Sequence, residues 1–288
     1  MKIVITGGNG MLGRTLQRVL APAHDLIIAD LPQVDITAPE CFDQFIAEHK
    51  PQVVIHCAAM TAVDKCENEK ERAFRINAFG SSVVAATCQR HHCRLIAIST
   101  DYVFAGNADH PYNEFDQATG GATIYGQSKF AGEEAIRHHC PDHVICRTAW
   151  LYGAGGPSFV YTMLKLAQDG SHDVLKVVND QRGNPTSTDA LALRLSDIIA
   201  HPYLVGTYHL TCEGEATWYD FAQEIFRLTG INQRLAPCST AEFPRPAPRP
   251  KNSRLDKMML RLAGLPPMPD WHDALAAFLR REFPHLYP

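Results

Sequence analysis

The chain has 288 residues, of which 45% are hydrophobic and 20% charged, with a formal net charge of −4. That balance argues against nucleic acid as the main partner, though a local positive site for a small anion stays open. No apolar run reaches the ~20 residues of a membrane span, so the composition fits a globular protein with a substantial core.

In chain order, short β-branched runs alternate with helical periods. KIVIT (2–6), LIIAD (26–30), VVIH (53–56), RLIAIS (94–99) and HVICR (143–147) read as strands. Helices are expected over 11–20, 39–50, 69–91 and 125–138. Such alternation means βαβ units and a parallel sheet, and fully apolar strands mean that both faces are covered. After Trp150 the regularity breaks at a glycine-rich loop (153–157). Helices then follow near 159–167, 188–199, 217–228 and 271–281, with strands at VLKVVND (174–180) and GTYHLT (206–211). FPRPAPRPKNS (243–253) carries four prolines, which forbid regular structure. The predicted fold is α/β: a doubly wound parallel (Rossmann) sheet with a smaller, irregular α/β substrate lobe. Residues 1–150 form the dinucleotide-binding domain, parts of 172–205 return to it, and 151–171 and 206–288 form the lobe.

MKIVIT opens the sequence without a signal-peptide pattern. The nine cysteines are odd in number and lack a CxxC, as expected of reduced thiols in a cytoplasmic protein. CQRHHC (88–93) reads as the polar end of a helix rather than a metal centre, because structural zinc takes four ligands from separated pairs. No protein metal site is expected.

ITGGNGMLG (5–13) lies between the first strand and the first helix. Gly7, Gly10 and Gly13 suit a tight turn, close approach of a pyrophosphate, and helix–strand packing, with Met11 and Leu12 opening the helix. The diphosphate would then meet backbone N–H groups at a helix N-terminus. Asp30, 17 residues after Gly13, can bind a ribose 2′-hydroxyl and repel a 2′-phosphate. No basic residue follows at Leu31 or Pro32, so the reading leans to NADH or dual use, with NADPH kept open. Asp35 and Ile36 would border the adenine, and small Ala58 and Ala59 would let the backbone approach the cofactor.

IYGQSK (124–129) places a phenol and an ammonium four residues apart, on one face of a helix. A cation there would favour the ionised phenol and make Tyr125 a usable proton donor. Ser99 and Thr100 stand at the carboxyl edge of the sheet, where ligands of open α/β folds bind.

Thr100, Tyr125 and Lys129 together resemble the extended branch of the short-chain dehydrogenase/reductase superfamily. AA-x-T-A-V-D-K-x-E (58–67), STDYVF-x-G (99–106), YG-x-SK-x-AGE (125–133), RTAW-x-YG (147–153), DQ-x-G-x-PT (180–186) and RP-x-NS-x-L (249–255) narrow the likeness. With them the chain is similar, over nearly its whole length, to the dTDP-4-dehydrorhamnose reductases. The resemblance implies NAD(P)H-dependent reduction of a dTDP-4-keto-6-deoxy sugar, in nucleotide-sugar synthesis for cell-surface polysaccharide. Tyr125 would give the proton, Lys129 would favour phenolate and hold the nicotinamide ribose, and Thr100 would hydrogen-bond the same oxygen. Thr61 would border cofactor and sugar; Val63, Tyr102 and Trp150 would border the sugar; Arg249 would pair with the diphosphate. Core packing is the alternative for Tyr102 and Trp150, and a solvated loop charge for Arg249. A homodimer and bound magnesium are family traits for which no residues here can be named. Two rivals are a reductase of another NDP-4-keto-6-deoxy sugar and a non-catalytic nucleotide-binding regulatory subunit. A dehydratase would need a second acid after Asp101, where Tyr102 stands.

Overall fold

The computed structural model describes residues 1–170 and 173–286. His172, where the returning segment is expected to begin, and the last two residues of the expected lobe lie outside them. In chain order the strands are β1 (Lys2–Thr6), β2 (Asp25–Ala29), β3 (Val53–His56), β4 (Arg94–Thr100), β5 (His143–Thr148), β6 (Leu151–Tyr152), β7 (Val174–Val178), β8 (Arg182–Gly183), β9 (Thr186–Ser187), β10 (Gly206–His209), β11 (Ala216–Thr217) and β12 (Arg234–Cys238). Six of them build one parallel sheet in the order β10-β5-β4-β3-β1-β2.

Strand alternation explains why this sheet is covered twice. Ile3, Ile5, Val53, Ile55, Ile96 and Val144 share one core with the helices Met11–Leu20, Thr188–Ala200 and Trp271–Glu282. Val4, Val54, Leu95, Ala97 and Ile145 point the other way, into a core with Pro39–His49 and Ser81–Arg90. Each buried aliphatic side chain contributes ~1.5–3 kcal/mol, so a one-residue slip of register would be costly. The chain leaves β1 for β2 on one side and β3 on the other. The crevice at this reversal, beyond the carboxyl ends of the strands, is where such folds bind ligands.

Three differences from the sequence reading bear on the site. Gly206–His209, assigned there to the smaller lobe, pairs with β5 in the central sheet, whereas Val174–Val178 pairs with β12 outside it. The helix Thr188–Ala200 packs against Met11–Leu20, with Thr15 Oγ1 donating to Thr188 Oγ1 at 2.9 Å. The expected helix over 69–91 is Lys70–Phe74, a π-helical turn Arg75–Gly80, and Ser81–Arg90. Wide π turns arise where a helix accommodates a functional side chain, and this one carries Asn77. The short helix Val63–Asn68 precedes it.

Candidate active site

A crevice of about 610 Å³ opens at the β1/β3 switch point, and every residue that the sequence assigns to the cofactor lines it. Gly7 has φ +64°, and a Cβ there would lie 2.7 Å from the Ala58 nitrogen. A Cβ on Gly13 would lie 2.5 Å from the Gly7 carbonyl oxygen, so the helix packs directly on the loop. Gly10 donates its N–H to Gly7 O at 3.0 Å, and no side chain caps the helix start. The first amide N–H groups are therefore open to an anion, which fits a dinucleotide pyrophosphate. Asp30 accepts from Asn9 N at 2.8 Å and from Leu31 N at 2.9 Å, fixing the glycine loop to the end of β2. Each oxygen keeps a lone pair for a ribose hydroxyl.

The helix Ile124–His139 starts at Thr123, whose hydroxyl accepts from Gly126 N at 3.0 Å. Tyr125, 9% exposed, sits edge-on to Tyr102 with ring centres 5.4 Å apart. Burial holds its phenol above the ordinary tyrosine range, and the neighbouring Thr100 hydroxyl draws it partly back. Burial pushes Lys129 down to about 8, with Glu133 opposing. Its Nζ donates to Ile98 O at 2.8 Å. Here the geometry departs from the expectation that Lys129 favours phenolate. The helix sets the two side chains side by side, but the ammonium turns to the backbone of β4 while the phenol faces Thr100. The phenol stays neutral, which is the state a proton donor needs.

Three neighbours complete this centre; from sequence only Asp101 was named, as the acid after Thr100 that a dehydratase would pair with a second, and it was given no role here. Asn77 Oδ1 accepts from Met60 N at 2.8 Å; its Nδ2 donates to Met60 O at 3.1 Å and to Ser128 Oγ at 3.0 Å. It thereby ties the loop holding Ala58, Ala59 and Thr61 to the residue before Lys129. Glu133, 2% exposed, accepts from Ser99 Oγ at 2.6 Å, from Arg147 Nε at 2.9 Å and Nη2 at 2.7 Å, and from Arg137 Nη2 at 2.8 Å. Burial alone would raise its pKa; these bonds and the arginine charges outweigh it and hold it below the usual carboxylate range. Asp101, 6% exposed, accepts from the Thr100 hydroxyl at 3.0 Å. Burial pushes it up to about 6 against the hydroxyls of Ser253 and Thr100. The i+4 spacing of Glu133 after Lys129 was the available signal; for Asp101 it was adjacency to Thr100.

Thr61, Val63, Thr100, Tyr102, Tyr125 and Trp150 all line the crevice; Arg249 does not. Arg249 lines an adjoining cavity of about 1180 Å³, which shares Asp101, Tyr102, Trp150 and Pro157 with the first. Trp150, at φ +48°, stacks on Trp218 at 3.6 Å and 7°. Lys176 and Arg245 add two further cations to the lining. The Arg249 guanidinium donates to Asp64 Oδ2 at 2.8 Å and to Ala247 O at 3.0 Å, so it is paired rather than solvated. Arg245 shares the proline-rich segment with Arg249 but was not named from sequence; the repeated R-P was the available signal.

Among the described residues, no three His, Cys, Asp or Glu side chains group as metal ligands would. At the CQRHHC segment, His91 Nε2 meets Asp43 at 3.0 Å while the Cys93 thiol donates to Pro51 O at 3.1 Å. All nine cysteines are unpaired. No helix among the described residues is long and apolar enough to cross a membrane.

The family model for the RmlD substrate binding domain matches residues 1–283. A probable dTDP-4,6-dihydroxy-2-methyloxan-3-one 4-ketoreductase of Streptomyces antibioticus is 42% identical, over 99% of this chain and 96% of its own length. The crystal structure of a dTDP-4-dehydrorhamnose reductase from Clostridium acetobutylicum is similar with a TM-score of 0.94 at 46% identity, covering 98% of this chain and 99% of that one. The same enzyme from Bacillus anthracis, crystallised with NADP, has a TM-score of 0.94 at 39% identity, covering 97% and 99%. With that match over nearly its whole length, on a site built around Thr100, Tyr125 and Lys129, the chain belongs to the RmlD family, that of the dTDP-4-dehydrorhamnose reductases.

Proposed function

We propose that the protein reduces the 4-keto group of dTDP-4-dehydro-L-rhamnose to give dTDP-L-rhamnose, a nucleotide sugar for cell-surface polysaccharide. One observation carries the reading: Thr100, Tyr125 and Lys129 line the dinucleotide crevice, which adjoins a second, cation-lined cavity at Asp101, Tyr102, Trp150 and Pro157. When bound, a reduced nicotinamide dinucleotide supplies the hydride. The glycine loop holds its pyrophosphate, and Asp30 its adenosine ribose. Tyr125, neutral through burial, gives a proton to the carbonyl oxygen as charge develops there. Thr100 lies beside the phenol, at the place for a second hydrogen bond to that oxygen. Lys129 is held against the end of β4 by Ile98 O, within the crevice, and there meets the nicotinamide ribose. Trp150 and Tyr102 wall the sugar, and Arg249, with Arg245 and Lys176, meets the diphosphate.

Asp30 disfavours a 2′-phosphate, while a relative of the same family was crystallised with NADP; the reading is therefore use of both NADH and NADPH. A second reading rests on the Streptomyces antibioticus relative, whose name gives a different 4-keto sugar: the same chemistry on another dTDP-4-keto-6-deoxy substrate. The intact trio argues against a purely regulatory subunit.

The test is oxidation of NADH and NADPH, in parallel, with dTDP-4-dehydro-L-rhamnose generated in place. Product co-eluting with dTDP-L-rhamnose is expected, and Tyr125→Phe should lose turnover far more than binding, by ~10²–10⁴. Cofactor binding without turnover would move the weight to the second sugar or to the regulatory reading.

A further inference from the structure

Asp101 is a buried carboxyl that the reaction as described does not use. It follows Thr100 at the end of β4 and faces both cavities. One oxygen, Oδ1, accepts the Thr100 hydroxyl at 3.0 Å. The other, Oδ2, is buried with no hydrogen-bond partner of acceptable geometry. A carboxylate buried with so few well-formed bonds is costly while ionised, and even with the Ser253 hydroxyl nearby burial favours the protonated acid.

A proton count at Thr100 shows what that acid controls. A threonine hydroxyl has one proton and two lone pairs. Tyr102 N already donates to one lone pair, at 3.3 Å. If Asp101 is ionised, the single proton of Thr100 points to Asp101, and only a lone pair faces the Tyr125 phenol. Thr100 is then an acceptor and has nothing to give the reacting oxygen. If Asp101 is protonated on Oδ1, the oxygen 3.0 Å from the Thr100 hydroxyl, its O–H can occupy the second lone pair, and the proton of Thr100 is released toward Tyr125 and the carbonyl. The two demands on Thr100 are therefore exclusive.

We infer that Asp101 is a positioning residue that sets the direction of the Thr100 hydroxyl: protonated, it turns that hydroxyl into a donor to the reacting oxygen, and ionised, it turns it away. The inference rests on the carbonyl-reductase reading above. The titratable groups facing Asp101 are the phenols of Tyr125, from the catalytic helix, and Tyr102, from its own turn. Ser253, from the C-terminal segment, presents a hydroxyl. Of the cavity cations, Arg249 is engaged with Asp64, Lys129 with Ile98 O and Lys176 with Glu242, and Arg245 lines the second cavity. Burial among these groups brings the ionisation of Asp101 to about 6, within reach of ordinary assays.

The experiment is kcat/KM for the keto sugar from about pH 5 to about pH 8, on wild type, Asp101→Asn and Thr100→Val. Wild type should fall between two plateaus as pH rises through the ionisation, by on the order of 10²-fold, the usual effect of one donor to a developing oxyanion. Asp101→Asn, whose amide can donate to Thr100 at every pH, should lose that limb and exceed wild type at the alkaline end. Thr100→Val should also lose it, but at a uniformly low level, because no hydroxyl is left to turn. A limb that persists in either variant overturns the inference, as does an Asn variant below wild type at every pH. A second readout needs no turnover and no ligand: the carboxylic C=O band of Asp101 by difference infrared spectroscopy. It should appear in wild type as pH falls through about 6 and shift in Thr100→Val, which removes its partner. An unshifted band overturns the coupling even where the Asn variant does not fold. If wild type shows no turnover of the keto sugar while the band shifts, the substrate reading fails and the Asp101–Thr100 coupling stands.

Discussion

Removing Glu133 tests whether the helix Ile124–His139 is held by a buried ion pair. Its carboxylate accepts four hydrogen bonds, from Ser99, twice from Arg147, and from Arg137. Arg147 is 3% exposed, and its Nη1 already lacks a partner. Glu133→Ala would leave that guanidinium buried beside the Phe104 ring, 4.9 Å away, with only a cation–π contact to offset its charge. Breaking a buried pair by deleting one partner costs ~3–5 kcal/mol, a large share of a total stability of ~5–15 kcal/mol. The assay is equilibrium unfolding in urea, with a lower midpoint and an unchanged slope expected. Replacing both partners, Glu133→Leu with Arg147→Met, should recover most of the loss, since no charge is then stranded. The pH dependence has a definite sign. The folded carboxyl titrates below its ordinary value, so its stabilisation is present above the unfolded pKa of ~4.3 and is lost as pH falls through the folded one. The gap between wild type and Glu133→Ala should therefore narrow in acid. A loss under about 1 kcal/mol at neutral pH, or a gap that widens in acid, would refute the reasoning.

Three further perturbations follow from the same geometry. Gly7→Ala combines a left-handed backbone, worth ~1–2 kcal/mol, with a Cβ 2.7 Å from Ala58 N. It should weaken dinucleotide binding at least ~10-fold in a fluorescence titration, whereas Gly170→Ala, at φ +61° with open space around it, should leave binding unchanged. Lys129→Met should abolish useful turnover yet stabilise the fold at pH 7: holding an ammonium at about 8 rather than 10.5 costs ~3 kcal/mol, of which the lost bond to Ile98 O returns ~1. That gain should shrink as pH rises from about 8 toward ~10.4, where wild type sheds the proton, and a variant less stable than wild type in thermal melts at pH 7 would contradict it. On the function proposed above, in which Arg249 meets the diphosphate and not the carbonyl, Arg249→Ala should raise KM for the sugar nucleotide on the order of 10-fold with kcat little changed, because its partly exposed pair with Asp64 adds little stability.

The nucleotide half was legible because its signals are local. Glycine spacing after KIVIT, an acid closing the second strand, and alternation of apolar residues each act within one βαβ unit. β3 and the helix Met11–Leu20 have the bounds read from sequence. The second half was less legible because its pairings are distant. β12 (RLAPC) has a proline and no clean alternation, and it becomes a strand only by lying along β7, some 60 residues earlier. Gly206–His209 looks like any short strand, and nothing within it says that its partner is β5. The π turn at Arg75–Gly80 was invisible for a related reason. RINAFG has ordinary helical periodicity, and the widening accompanies close packing on the catalytic helix, where a Cβ on Gly132 would strike Asn77 O.

The phenol–ammonium spacing itself needs a different account from the one that charge proximity suggests. Tyr125, Lys129, Glu133 and Arg137 stand four residues apart, so one face of a single helix carries them as a stripe. The stripe lies on the ends of β4 and β5, where Ser99 is in register with Arg147 and Thr100 with Thr148. Glu133 bonds both Ser99 and Arg147, Lys129 bonds Ile98 O, and Tyr125 then falls against Thr100. Three residues of the stripe thus meet the last three residues of β4, while Arg137 bonds Glu133 and, on β10, Thr207. The lysine's bond to Ile98 O orients its ammonium one turn below the phenol and away from it, and Glu133 opposes the loss of its charge. A neutral, buried phenol is the consequence, and it suits reduction, in which the proton must be present on Tyr125 before charge reaches the sugar oxygen. Oxidation of an alcohol would need the phenolate instead. The same four residues would serve that direction only once a cationic nicotinamide, which supplies positive charge when bound, stood beside Tyr125.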